Sequence, residues 1–459
     1  MINNARQMNR LRFLVIMTAV ATVTACSDQP RKANAVYSGP ADKSIRTTRG
    51  GDSTAFNVVW PDMPRKKITV GGPGADITGF TSEAVQSAAE ALRQNPTGGI
   101  IELTPGTYDI TAPVRLYSNM KLEGSGRSTV LKKCRGVSSP FAIDADYGEL
   151  QVTVTDAGGF RPGMGVAVYD QDQRSGWALT TARITEIRGN TIFLDDYLLR
   201  DYSAARKGTI CNACSVIEAV NAENVTISDL AVEGGKETNE MIDGCRAGGI
   251  YLHKVRRALV ENVAVRNFNC DGISWQITEH VTVRNCEVSG CTNSGLHPGT
   301  GSPYTVIEGN DSHDNGGYGL FVCWRVRNGS VTDNSFHDNG INGISTGHKD
   351  TGVIFSGNRI FNNGEDGITL RGETAGNAPD GTVITHNIIE NNGVKKDGYA
   401  VSVFSPAGGV RIENNIIRNT GKGRQLAAVY IGEKGIRPLL KDNQVLSMPG
   451  GEIVTEKGK

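Results

Sequence analysis

The chain has 459 residues, of which 57 are Gly and 16 are Pro. Gly is thus raised well above its usual share of about 7%, which argues against a helix bundle, and unraised Pro excludes collagen-like and Pro-rich disordered chains. The 48 Lys and Arg cancel 48 Asp and Glu, so the charge gives no support for a nucleic-acid partner.

At the N-terminus, Arg6, Arg10 and Arg12 precede an apolar run from Phe13 to Ala25 that ends in Val23-Thr24-Ala25-Cys26. A basic segment, a short apolar core and small residues at the cut make a secretory signal over residues 1–25, too short to span a bilayer. The ending resembles a bacterial lipobox. That resemblance implies a lipid on Cys26, hence a membrane partner, and Ser27 after it implies an outer-membrane lipoprotein facing the periplasm or the cell surface. Residues 26–60, polar and aperiodic, read as the tether.

Residues 61–144 open the folded part. Thr81 or Ser82 is placed to cap a helix over Glu83–Arg93, with Ala84, Val85, Ala88 and Leu92 on one face. Strand-like segments follow, among them Gly98 to Leu103 and Met120 to Leu131. Residues 145–215 alternate strands and tight turns without a repeat and read as a β-rich insertion. Among the eight cysteines after Cys26, Cys211 and Cys214 have a redox or zinc spacing, but no second close pair completes a metal site, so a disulfide or buried thiols are expected.

From residue 216 to 447 the chain repeats itself. Asn262, Asn285, Asn310, Asn334, Asn358, Asn387 and Asn415 each follow a short Val/Thr/Ile segment at intervals of 23 to 29 residues. Second Asn residues (Asn315, Asn339, Asn363, Asn392) and Gly-apolar pairs such as Gly319-Leu320 and Gly343-Ile344 share the period. A period with three short strands and no room for a helix predicts an all-β solenoid, a right-handed parallel β-helix, with residues 448–459 as a tail. On this reading Asn takes the left-handed corner and ladders its amides between coils, and Gly takes positive φ at the second corner. Ile344, Ile368 and Ile388 should stack inward.

The capping helix, the turn Pro105-Gly106-Thr107-Tyr108 and the segment Lys121 to Leu131 (KLEGSGRSTVL) resemble the start of the pectate-lyase-like β-helix superfamily, which includes polysaccharide lyases, uronate epimerases, glycosidases and phage depolymerases. The resemblance spans about residues 65 to 445. It implies a carbohydrate-active protein and leaves the reaction open.

If the residue after each corner Gly points inward, the next points outward. One outer column then holds Tyr251, Ser274, His297, Phe321, Ser345, Thr369, Ser402 and Tyr430, and a neighbouring one His253, Gln276, Gly299, Cys323, Gly347 and Arg371. Loops add Trp324, Arg325, His348, Lys349, Asp350 and Glu373, while Asp271 and Asp366 precede corner glycines. This cationic face suits an acidic glycan. Elimination from a uronate needs a base for the C5 proton and cations for the adjacent carboxylate. His297 is the expected base, pointing to solvent. Arg371, Lys349 and Arg325 are the expected neutralising cations, and His348 an acid or a substrate contact. His253, Asp271, Gln276, Trp324, Asp366 and Glu373 complete the expected substrate contacts. A hydrolase using Asp271, Asp366 or Glu373 and a non-catalytic glycan-binding scaffold are the alternatives.

Departures from known subfamilies are plain. Asn269-Cys270-Asp271 resembles the Asn-Thr-Asp of polygalacturonases, but the next coil reads Ser294-Gly295-Leu296-His297 with no Asp pair. The order His297-Pro298-Gly299 lacks the Asp of the Asp-Pro-His element of mannuronan epimerases. Asp271, Asp366 and Glu373 are spread over several coils, so no cofactor is expected and calcium has no clustered site.

Overall fold

The structure, a computed structural model, describes residues 66–456. The signal segment, Cys26 and the tether lie outside the described residues. Short parallel strands stack coil on coil into a parallel β-helix. One ladder runs from Ile217 through Ile250, Ile273, Leu296, Leu320, Ile344, Ile368 and Val401 to Val429. These residues are at most 1% exposed and point into the core, as alternation on a strand requires. A second ladder is joined to it through the long strands Ile217–Ser228 and Ile250–Glu261, and an 11-stranded sheet closes the third side. Ile388 departs from the expected column: it pairs with Arg359 and Ile416 on that third side, and Val401 takes its place above Ile368.

The Asn repeat contains two different devices. Asn262 and Asn285 occupy the left-handed corner, at φ 55 and 53°. From Asn310 onward the Asn comes one position later, and the corner is taken by Gly309, Asp333, Gly357, His386, Asn414 and Asp442. From Asn310 to Asn415 these later Asn side chains are buried, and from Asn334 onward each Oδ1 accepts from both the backbone N–H and the amide of the Asn one coil earlier, in an unbroken series Asn310, Asn334, Asn358, Asn387, Asn415, Asn443. A second ladder runs Asn315, Asn339, Asn363, Asn392 and ends on Gln425. The glycines at the second corner also differ from expectation. Gly295, Gly319, Gly343 and Gly367 are not at positive φ; a β-carbon on Gly343 would meet Ile360 and Asn363, so close packing selects Gly there.

The N-terminal end is covered by the single α-helix of the described residues, Ser82–Arg93. Thr81 caps it, its Oγ1 accepting from the Ala84 N–H at 3.3 Å, and Val85, Ala88, Ala89 and Leu92 are buried. Between the first coils and the main array, the chain leaves to form a six-stranded antiparallel sheet from Ser138–Pro140 to Thr209–Cys211, with its own core around Phe141, Val166, Ile192 and Tyr202. The eight cysteines of the described residues are all unbridged, and all but Cys134 are buried.

Candidate functional site

Register places the expected outer residues on one sheet. Tyr251 pairs with Ser274 and Ser274 with His297; Phe321, Ser345, Thr369, Ser402 and Tyr430 continue the column. They face away from the core, but most do not face solvent. Ser274 and Gln276 are fully buried and His297 is 4% exposed, which corrects the expectation of a solvent-facing His297. The reason is tertiary: segment 240–247 and the side chains of Phe321 and Arg371 lie over this part of the sheet.

Asp271 is fully buried, and its Oδ1 accepts the N–H of Ser294 at 2.7 Å and the amide of Asn293 at 2.9 Å. Its Oδ2 accepts from His297 Nδ1 at 2.7 Å. Burial pulls the imidazole pKa down, but the Asp271 charge and hydrogen bond, helped by the Cys323 sulfur, outweigh burial and raise it to about 10. His297 is therefore a buried cation at neutral pH, the wrong state for a base. Gln276 Nε2 lies 3.4 Å from His297 Nε2 and donates to Ser274 Oγ at 3.1 Å.

Three successive coils deliver a second, more open cluster. Trp324 stands against His348, ring centres 4.5 Å apart, and His348 Nδ1 lies 3.0 Å from Glu373 Oε2. Their side chains are 18% and 19% exposed, so the far imidazole nitrogen of an oriented His is within reach of a ligand. Arg371 reaches back two coils, donating to Ser345 Oγ at 2.9 Å and to the Val322 carbonyl at 2.8 Å. Its guanidinium lies 4.6 Å over the ring of Phe321, which also neighbours Tyr318 and His297, at 4.9 and 5.3 Å between ring centres. Gly347 leaves room for this, since a β-carbon there would meet the guanidinium. Buried Asp350 supports the turn by accepting the N–H groups of Gly347 and Val326, and burial holds its pKa above the usual carboxylate range despite Arg371 3.6 Å away.

The remaining expected residues fall around these clusters. Trp324, Arg325 and Lys349 have left-handed backbones at φ 67, 64 and 56°, which tighten the turns carrying the cluster. Lys349 donates its backbone N–H to Asn377, and Arg325 stands 5.7 Å from the Trp324 ring. Asp366 stands apart: it is spent on the Tyr399 N–H and the Thr369 hydroxyl, both at 2.9 Å, and burial raises its pKa. His253 lies under Trp177 of the insertion, ring centres 5.2 Å apart, and burial, followed by Arg246, lowers its pKa to about 4. The carboxylates Asp271, Asp366 and Glu373 thus belong to three separate networks, and no group of three metal-ligating side chains exists among the described residues. Sequence reasoning placed Phe321 on this face and Asp350 in its loop without giving either a role, and missed the pairing of Asp271 with His297 and Gly244 as a neighbour of the site. Gly244 carried no signal, since its loop lies outside the repeat.

Comparison with known proteins agrees with this architecture. The model of the right-handed β-helix region matches residues 215–382, and the model "rhamnogalacturonase A/epimerase, pectate lyase-like" matches residues 69–297. Among solved structures, the A-module of mannuronan C-5 epimerase AlgE4 from Azotobacter vinelandii is similar with a TM-score of 0.52 at 15% identity, over 81% of this chain and 93% of that one. The endo-xylogalacturonan hydrolase of Aspergillus tubingensis is similar with a TM-score of 0.50 at 12% identity, over 86% of this chain and 94% of that one. These likenesses are of fold. No curated protein sequence matches the chain. The unbroken parallel coils, the capping helix and both family models lead to one conclusion: the chain is a right-handed parallel β-helix, similar over residues 69–297 to the pectate-lyase-like family.

Proposed function

We propose that this protein is a polysaccharide lyase that cleaves a uronate-containing glycan by β-elimination. The observation that carries the reading is the cluster of Trp324, His348 and Glu373, brought together from three successive coils, with Arg371 held on the neighbouring strand positions Ser345 and Val322. The far nitrogen of His348, oriented by Glu373, takes the C5 proton of a bound uronate. The electron pair left on C5 forms the C4–C5 double bond, and the C4–O bond to the leaving sugar breaks, its oxygen taking up a proton. Arg371 neutralises the carboxylate as negative charge develops on it, with Lys349 and Arg325 as further cations, and Trp324 offers an apolar face to a sugar ring.

The test is to incubate purified protein with acidic and neutral glycans and follow ultraviolet absorbance and product mass. Unsaturated products from an acidic glycan are expected. Saturated products would overturn elimination in favour of hydrolysis, where the separate networks of Asp271, Asp366 and Glu373 offer no facing pair of carboxylates. We also propose that the protein is exported and anchored through a lipid on Cys26. Replacing Cys26 by Ser is expected to move it from the membrane to the soluble fraction, and unchanged fractionation would refute the anchor.

A further inference from the structure

Segment 240–247 crosses the outer face of the sheet on the N-terminal side of the proposed site. The Gly244 carbonyl accepts from Ser274 Oγ at 2.6 Å and the Cys245 carbonyl from Tyr251 Oη at 2.7 Å, so it sits directly on two residues of the outer column. Gly244 lies so close to Asp271 and His297 that a β-carbon there would collide with both. The crossing is held from several sides. Asn269 donates to the Glu240 carbonyl, and Asp243 accepts the Cys245 N–H at 2.8 Å. From the insertion, Trp177 stands 5.5 Å from the Arg246 guanidinium and 5.2 Å from the His253 ring, and Thr181 Oγ1 accepts from Arg246 at 3.3 Å. Glu240 pairs with Arg174 at 3.6 Å.

Under this bar the column is closed: Tyr251 is 4% exposed and Ser274 fully buried. Toward the C-terminus the column stays buried through Ser345 and Ser402, but segment 240–247 does not cross it there, and the turns beside it regain solvent at His348 and Glu373 and further on at Phe404, 36% exposed, beside stacked Tyr430 and Tyr399. We infer that the protein acts from a chain end, because a glycan lying along the sheet meets a wall at the His297 coil and can leave the site only over the C-terminal coils. His348 stands two coils beyond that wall and the Arg371 guanidinium reaches back into the same interval, which at about 4.8 Å per coil leaves room for roughly two sugar rings. The aromatic group around Tyr430 then lies under the part of the chain that runs outward.

The inference rests on the proposed lyase reading, and one experiment separates the two. Wild-type protein is given a long polyuronate, free-ended or with a bulky group on both ends, and unsaturated products are sized from the first minutes. The expected result is a narrow set of products of about two units, with the doubly blocked chain consumed at least about tenfold more slowly. Early products of all lengths, or equal rates on the two chains, would overturn chain-end action and leave the lyase reading standing. Absence of unsaturated product from every acidic glycan would overturn both.

Discussion

His297 carries a pH signature that follows from its surroundings. Its folded pKa, raised to about 10 from an ordinary 6.5, means that the folded state holds a proton the unfolded state releases. The stability this supplies is complete below about pH 6.5 and is lost as pH rises toward 10. Melting temperature should therefore fall across that window in the wild type and fall less in Asp271→Asn, where burial alone acts on the imidazole; parallel profiles would refute the ion pair. The two histidines also separate stability from chemistry. His297→Ala leaves Asp271 buried without its partner and should cost roughly 3 kcal/mol, read as a lowered melting temperature. His348→Ala, at a partly exposed site, should melt near the wild type and lose about a hundredfold or more in turnover. Unchanged turnover in His348→Ala would remove it as the base. Arg371→Lys should retain more activity than Arg371→Ala, because charge survives while the forked contact to Ser345 and the Val322 carbonyl is lost.

In the coil, the buried Asn ladder does what the apolar columns cannot: it satisfies corner backbone groups that have no strand partner. Asn334 accepts the Asn310 N–H and amide, and its own amide donates to the Ile307 and Thr332 carbonyls and to Asn358. Asn334→Leu should therefore destabilise by roughly 2 to 4 kcal/mol, since several buried groups lose their partners at once. Asn262→Leu, at an exposed left-handed corner, should cost less, mainly through backbone strain. Equal losses in denaturant titrations of the two variants would contradict the distinction between ladder and corner. That distinction was hidden in the sequence because both positions favour Asn, one for its amide and the other for its tolerance of positive φ.

Across the whole molecule the two ends of the solenoid are unequal. The first coils lie under the helix Ser82–Arg93, while the last strands, Leu439–Lys441, Gln444–Leu446 and Ile453–Thr455, each have a ladder partner on one side among the described residues. Leu439 is 58% and Leu446 50% exposed there. In a quasi-one-dimensional array each coil is held only by its neighbours, so amide hydrogen exchange should be fastest in these strands and slow toward Leu296–Gly299. Equal protection at Ile453–Thr455 and Leu296–Gly299 would show that the end coils are held by something other than ladder pairing.

The sequence alone determined the fold, because coil period, corner residues and inward apolar alternation are local properties repeated down the chain, each pointing to the same winding. It also placed His297, Phe321 and Arg371 on one sheet, since register follows from the repeat. Only the tertiary structure decided what those residues meet. Asp271 and His297 stand on successive coils, yet their pairing and burial depend on Gly244, brought from a loop without the repeat. His348 and Glu373 meet through turns of different length, and Arg371 bends back over two coils. Side-chain reach and loop path carry no period, so they could be found only where the coils stack.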